Sequence, residues 1–241
     1  MTPLTIRLLL RSFFIQSGWS YERKQALGFF YSICPVIENS PNKDKEEKRK
    51  TMLRHLAYFN TNPYFASLIL GVICSLEKEN ISEEVINSVK EQLSGPLAVI
   101  GDNLFFNTLL PLLSVVSLYI YKFNPEGFLI PAIFFLSTYN IIHLLVRAAG
   151  LYYGLRYSFD IVKILQKAKF QNIISIFNLI GLILVVAFIL TNILYSSQNM
   201  LFFVFKILYC ITILVLHFFN FSTNELFYLT VLVLVVLNFA I

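Results

Sequence analysis

The sequence predicts an all-α integral membrane protein: a polytopic helical bundle with an N-terminal amphipathic helix and at least one re-entrant helical segment. Three observations lead there. Apolar residues make up 57% of the 241 positions and charged residues 14%, against about 45–50% and about 25% in soluble domains. Five apolar runs (104–121, 128–146, 173–194, 201–220 and 226–241) approach or exceed the length that spans a bilayer, roughly 20 residues. The 19 Lys and Arg are grouped: ten lie in 1–54, five in 147–169, and only Lys206 follows. Basic stretches alternating with apolar runs are the membrane pattern, so the net charge of +5 is read as topology, not as nucleic-acid affinity. An ordinary soluble enzyme, a disordered tail and a nucleic-acid module are excluded.

Residues 4–17 are read as an amphipathic helix, with Arg7 and Arg11 on one face and Leu8, Leu9, Phe13 and Phe14 over much of the rest. It is too short to cross, so it is expected to lie in the interface. Arg11 interrupts the apolar run and no A-x-A site follows, which argues against a cleavable signal. Ser20 is placed to cap a second helix running to about Ile37. The run 42–53 reads as a solvated helix in which Asp44–Lys48 and Glu46–Lys50 have favourable i,i+4 order. Tyr64 to Leu76 is apolar but has only 13 residues. Opened by Asn62 as N-cap and Pro63 as N1, it looks re-entrant. Residues 77–94 are polar and helical. In the first long run, Asn107 and Pro111 predict a break. Five crossings with 1–103 and 147–169 inside satisfy the positive-inside rule and put the C-terminus outside; a re-entrant segment changes that parity. The chain therefore divides at about residue 103: 1–103 is an N-terminal helical part with interfacial, re-entrant and charged cytoplasmic segments, and 104–241 a polytopic transmembrane part.

Polar groups near hydrocarbon cost several kcal/mol when unpaired, so they mark packing partners or substrate contacts. Four clusters interrupt the apolar pattern. In Gln16 to Gln25, Trp19 is the only tryptophan, with Glu22 and Arg23 a turn later. An aromatic face beside a carboxylate and amides is suited to a sugar; the alternative is an interfacial anchor plus a surface ion pair. In Phe59-Asn-Thr-Asn-Pro63, Asn60 and Asn62 offer donors and acceptors for neutral hydroxyls, or Asn62 simply caps. In Ser94 to Asn103, Gly95, Pro96 and Gly101 allow turns or close backbone approach, and Asp102 is placed to cap the helix that follows. In Asn140 to Arg147, Arg147 is expected to snorkel to the cytoplasmic interface, and His143 to be a hydrogen-bonded packing residue. His55, His143 and His217 are far apart in sequence, so no metal site is expected. Cys34, Cys74 and Cys210 form no C-x-x-C and read as reduced packing residues. There is no G-x-S-x-G, no H-E-x-x-H and no Cys/His nucleophile pair, so no catalytic residues and no cofactor are expected.

These segments, in their order, resemble the IID subunit of the mannose/fructose/sorbose family of the bacterial phosphotransferase system (PTS). The resemblance rests on Arg11 through Arg23 with Gln25-Ala-Leu-Gly28, His55 through Pro63, Gly95 through Asp102, Asn140 through Arg147 with Gly150-Leu, and Asp160-Ile-Val-Lys163. It implies one IID-like domain in a multi-pass protein of the bacterial inner membrane. It implies a IIC partner in a heterodimer that assembles as a trimer of heterodimers. Together they form the channel for a hexose or hexosamine, moved by an elevator-like motion. The sugar is phosphorylated by IIB at the cytoplasmic side, through histidines of IIA and IIB and not of this chain. Carried over by motif, Trp19, Glu22, Asn60 and Asn62 are the expected sugar contacts. Gly95, Pro96, Gly101, Asp102 and Arg147 are the expected structural or gating positions.

The sequence departs from the family pattern at several points. Ser20 stands where Asn is usual, Leu110-Pro111 where Arg-Pro is usual, and Ala148 and Ala149 where aromatics are usual. Only Tyr195-Ser-Ser-Gln-Asn199 separates the last apolar segments, where a polar insertion is normal. These departures keep open a degenerate IID-like assembly protein without transport. An unrelated secondary transporter is a third reading, disfavoured by the lack of an internal repeat.

Overall fold

The computed structural model describes residues 2–41 and 43–195, with individual residues between 204 and 229. Among them the structure is helical, and no strand forms. Three helical stretches are long and apolar enough to cross a membrane: Glu83–Phe123, Leu129–Lys167 and Phe170–Ile189. They contain the expected runs 104–121 and 128–146 and most of 173–194. The expected runs 201–220 and 226–241 fall largely outside the described residues, as do Cys210, Lys206 and His217.

The chain forms two compact units, residues 1–105 with 137–171 and residues 106–136 with 172–241. At the centre of the first is α4, Ala66–Lys78. Ile69, Leu70, Val72, Ile73 and Cys74 are fully buried, as expected for a short helix that is apolar on every side. Around it stand α1 (Pro3–Ser12), α2 (Ala26–Glu38), α5 (Glu83–Leu104) and the second half of α7 (Leu129–Tyr157). The crossing of α4 with α7 is close because glycines meet there. A Cβ on Gly71 would lie 2.6 Å from the Leu151 carbonyl oxygen, and one on Gly154 would strike the Leu68 carbonyl. Gly150 and Gly154 have the small-xxx-small spacing that lets helix backbones touch. Ser67 adds a hydrogen bond across the crossing to the Arg147 carbonyl at 2.8 Å.

Helix α1 is shorter than the expected 4–17. Thr2 caps it, accepting from the Thr5 N–H, and turns take over from Phe13 to Gly18. Ser20 does not cap α2, which begins at Ala26. Instead Ser20 and Lys24 exchange two backbone hydrogen bonds, 3.2 and 2.9 Å, closing a tight loop with Lys24 at φ 51°. Within α2, Pro35 has no N–H to give the Tyr31 carbonyl. Arg11 supplies it instead, its Nη1 donating at 2.9 Å and its guanidinium lying over the Tyr31 ring at 4.3 Å. The charge run forms α3, Lys45–Leu53, opened by a capping box between Asp44 and Glu47. The expected i,i+4 pairs are not the ones formed: Glu46 pairs with Arg49 at 3.7 Å, and Lys48 donates to the Glu38 carbonyl at 3.0 Å. The competing partners are simply nearer.

In the second unit, π-helical residues Phe105–Leu109 lead into α6, Leu110–Phe123. The expected break is thus an over-wide turn. Pro111 cannot donate to residue 107, and the extra backbone of a π turn absorbs the ring. Helix α6 meets α9, Phe170–Tyr195, through polar bonds: Tyr119 Oη to the Leu184 carbonyl at 2.9 Å and Lys122 Nζ to Thr191 Oγ1 at 2.9 Å.

Candidate functional site

The loop that carries Trp19 is tied to the segment that carries Asn60 and Asn62. Gln25 N–H donates to the Phe59 carbonyl at 2.8 Å and Phe59 N–H to the Arg23 carbonyl at 3.4 Å. The Gln25 amide completes the clamp: Nε2 donates to the Thr61 carbonyl at 2.7 Å, and Oε1 accepts from the Thr61 N–H at 3.1 Å. Gln25 and Thr61 are buried, so the two segments, 36 positions apart, are joined through four backbone and amide bonds. Beside this seam stand exposed Trp19, Glu22 and Asn60. Lys24 Nζ lies 4.9 Å from the Trp19 ring and 4.6 Å from the Tyr21 ring. Glu22 makes no ion pair with Arg23; none of the described ion pairs includes either residue.

Asn62 points the other way. It is 1% exposed, its Nδ2 donating to Asp102 Oδ1 at 2.9 Å and its Oδ1 accepting from the Tyr64 N–H at 3.0 Å. Its carbonyl accepts from the N–H groups of Phe65 and Ala66 at 3.1 and 3.0 Å, so it opens the turn that leads into α4. Gly101 makes room for it, since a Cβ there would strike the Asn62 side chain. Asp102 is therefore not the cap of a following helix. It lies inside α5, and its carboxylate holds Asn62 from 40 residues away. The third cluster also reaches the seam, because Thr61 Oγ1 donates to the Ser94 carbonyl at 3.0 Å. Gly95 has open space around it. Pro96 lines an apolar groove of about 510 Å³ against residues 158–166.

Arg147 does not snorkel. It is 4% exposed, its Nη1 donating to the Ser12 carbonyl at the end of α1. Its guanidinium lies over Phe13 at 4.7 Å and Tyr64 at 5.9 Å. A cation at a helix C-terminus meets the negative end of the dipole, and two aromatic faces replace the water it gives up. Arg147 thereby joins the chain just before the Trp19 loop to the chain just after Asn62. All four sequence clusters meet in one unit.

One polar centre had no signal in the sequence. Glu77, buried at the end of α4, accepts from His55 Nε2 at 2.8 Å, from Arg54 Nε at 2.9 Å and from Lys43 Nζ at 3.3 Å. Burial works to raise its carboxyl, but the hydrogen bonds from His55 and Arg54 overcome this and hold it down at about 2. Burial pushes the fully enclosed His55 down. Its Nδ1 has no hydrogen-bond partner, which suits a neutral ring donating through Nε2. The partners are 22 to 34 positions apart, a spacing no motif encodes. The Gln25 clamp was missed for the same reason, whereas Gly150-x-x-x-Gly154 is a spacing readable from sequence.

Comparison with known proteins agrees with this arrangement. The family model described as PTS system mannose/fructose/sorbose family IID component matches residues 4–239. The chain is 34% identical over 188 residues to a PTS system mannose-specific EIID component of Escherichia coli K12, covering 76% of this chain and 65% of that protein. It is 32% identical over 174 residues to a PTS system sorbose-specific EIID component of Lacticaseibacillus casei, covering 70% and 60%. The chain thus spans just under two thirds of the length of these curated relatives. Among solved structures it is similar to a chain in the complex of mannose transporter ManYZ with microcin E492, with a TM-score of 0.61 and 32% identity over 78% of this chain and 70% of that one. This membrane protein, with Asn60, Trp19 and the Asn62–Asp102 bond gathered in one unit, belongs to the mannose/fructose/sorbose family of PTS IID components.

Proposed function

We propose that this chain is the non-catalytic, membrane-embedded IID subunit of a sugar-specific PTS. With a IIC subunit it forms the translocation path for a hexose or hexosamine of the mannose, fructose, sorbose or N-acetylhexosamine class. IIB, charged by IIA, phosphorylates the sugar at the cytoplasmic face of a bacterial inner membrane. The IIC–IID pair assembles as a trimer of heterodimers. The observation that carries this reading is the seam between residues 23–25 and 59–61. It presents an indole, a carboxylate and an amide side by side, in a chain whose sequence matches the IID family along nearly its whole length.

In this reading Trp19 covers the C–H face of the ring while Glu22 and Asn60 take hydroxyls. Asn62 contributes from behind, through Asp102 and the turn at Tyr64, by fixing where Asn60 stands. Gly101 supplies the space for Asn62, and Arg147 holds the end of α1 against α7. Helix α1 lies in the interface, and the segment through α4 enters and leaves the bilayer on one side.

Trp19→Ala and Asn60→Ala, made separately, are expected to cut sugar uptake while membrane levels of the chain stay normal. Loss of protein with each change would make both residues structural. The reading as an assembly protein without transport is favoured by one observation, the Lys24 ammonium already lying against Trp19. Unchanged uptake in both variants, with the chain present, would support it.

A further inference from the structure

A second polar-aromatic cluster lies on α7, outside the seam. The phenol oxygens of Tyr64 and Tyr139 are 3.1 Å apart. The Tyr64 ring is stacked on His143, with centroids 4.9 Å apart and planes at 26°. His143 Nε2 shares a hydrogen bond with Asn140 Oδ1 at 3.0 Å. Phe105 closes one side, 4.3 Å from Tyr64 and 6.1 Å from Tyr139. Asn140 is exposed, and Tyr64, Tyr139 and His143 are half-buried.

Depth makes this cluster informative. Tyr139 lies ten residues into the 29-residue α7, roughly 15 Å from its start, and His143 is one turn further. In a crossing helix that is the middle of the hydrocarbon. An exposed amide, two phenols and an imidazole there would face lipid tails at a cost of several kcal/mol unless something polar covers them. The groups carry both donors and acceptors and no carboxylate, beside flat ring faces. That chemistry fits a neutral polyhydroxyl ring. The cluster also continues from the seam, because Tyr64 is two residues past Asn62 and bonded to it.

We infer that Tyr64, Tyr139, Asn140 and His143 form a contact surface for the sugar ring at mid-depth of α7, reached after the Trp19–Asn60 seam. The inference rests on the proposed transport role and names a second station on the same path. Hydroxyl stereochemistry is read at this station, because its hydrogen-bonding groups are held by one another, whereas those of the seam are exposed.

The test uses vesicles containing the complete set of PTS components with this chain, and three probes: D-mannose, D-fructose and L-sorbose. Tyr139→Phe and His143→Gln are expected to raise KM by about three- to tenfold, the loss of one neutral hydrogen bond, and by different factors for the three sugars. Co-purification of the chain with IIC is expected to be unchanged. Trp19→Ala serves as the control and is expected to lower uptake of all three alike. Unchanged KM values in both α7 variants, with Trp19→Ala still impaired, would overturn the second station and leave the transport role standing. Loss of co-purification in Tyr139→Phe would assign the face to the partner protein and overturn the inference. Uptake that ignores the wild-type chain would remove both readings.

Discussion

Three basic side chains converge on the Glu77 carboxylate, which joins α3 and the turn after it to the end of α4. Lys43 and Arg54 are themselves largely enclosed, with side chains 15% and 11% exposed. Removing one partner from a buried ion network leaves uncompensated charge, which costs about 3–5 kcal/mol. Glu77→Gln is therefore expected to lower the midpoint of thermal unfolding of the detergent-solubilised protein by a margin no surface Glu→Gln change, such as Glu46→Gln, reproduces. The pH dependence has a definite sign. The folded Glu77 pKa is depressed, so its contribution is complete above the unfolded carboxyl value of 4.5 and is lost as pH falls toward about 2. His55 is also held below its ordinary 6.5. Below that value the unfolded chain takes up a proton that the folded chain resists, so stability starts to decline there. Unfolding followed from pH 8 to pH 4 is expected to show this first loss near 6.5 and to show it abolished in His55→Gln. A flat profile would contradict the buried neutral imidazole.

At the scale of the element, glycines of different standing make opposite expectations. Gly154→Ala drives a methyl group into the Leu68 carbonyl and is expected to destabilise the α4–α7 crossing by about 1–3 kcal/mol, an overpacking cost. Gly95 lies inside α5 with nothing near the site of a Cβ. Gly95→Ala is expected to stabilise by about 0.5–1 kcal/mol through helix propensity. A stabilised variant with impaired uptake would make Gly95 a hinge; unimpaired uptake would leave it without a role in gating. How far each element was legible follows from the range of the forces that set it. The irregular turn before α6 was readable because Pro111 acts on its own backbone. The buried α4 was readable because its apolar pattern has no polar face. The end of α1 was not, since Phe13 and Phe14 continue the apolar pattern while the chain is turned by contacts made elsewhere, Arg147 on the Ser12 carbonyl and Ser32 on the Arg11 carbonyl. Ser20 misled because a hydroxyl ahead of a helical pattern looks like a cap, and its pairing with Lys24 is visible only in the folded loop.

For the whole molecule, the candidate site residues were named by motif, but their roles were assigned by three-dimensional partners. The seam depends on Gln25 and Thr61, 36 positions apart, and the inward turn of Asn62 depends on Asp102, 40 positions away. Separations of that size leave no periodic trace in a sequence. The departures at Leu110-Pro111, Ala148 and Ala149 fall in helices α6 and α7 and not in the residues of the seam, which is why transport remains the better supported reading over an assembly role. The most direct measurement is sugar-dependent phosphoryl transfer and uptake in membrane vesicles holding IIA, IIB and IIC, with and without this chain. The account expects uptake of at least one hexose or hexosamine to require both IIC and this chain, and to be restored when the chain is added back. Equal uptake in its absence would contradict the account.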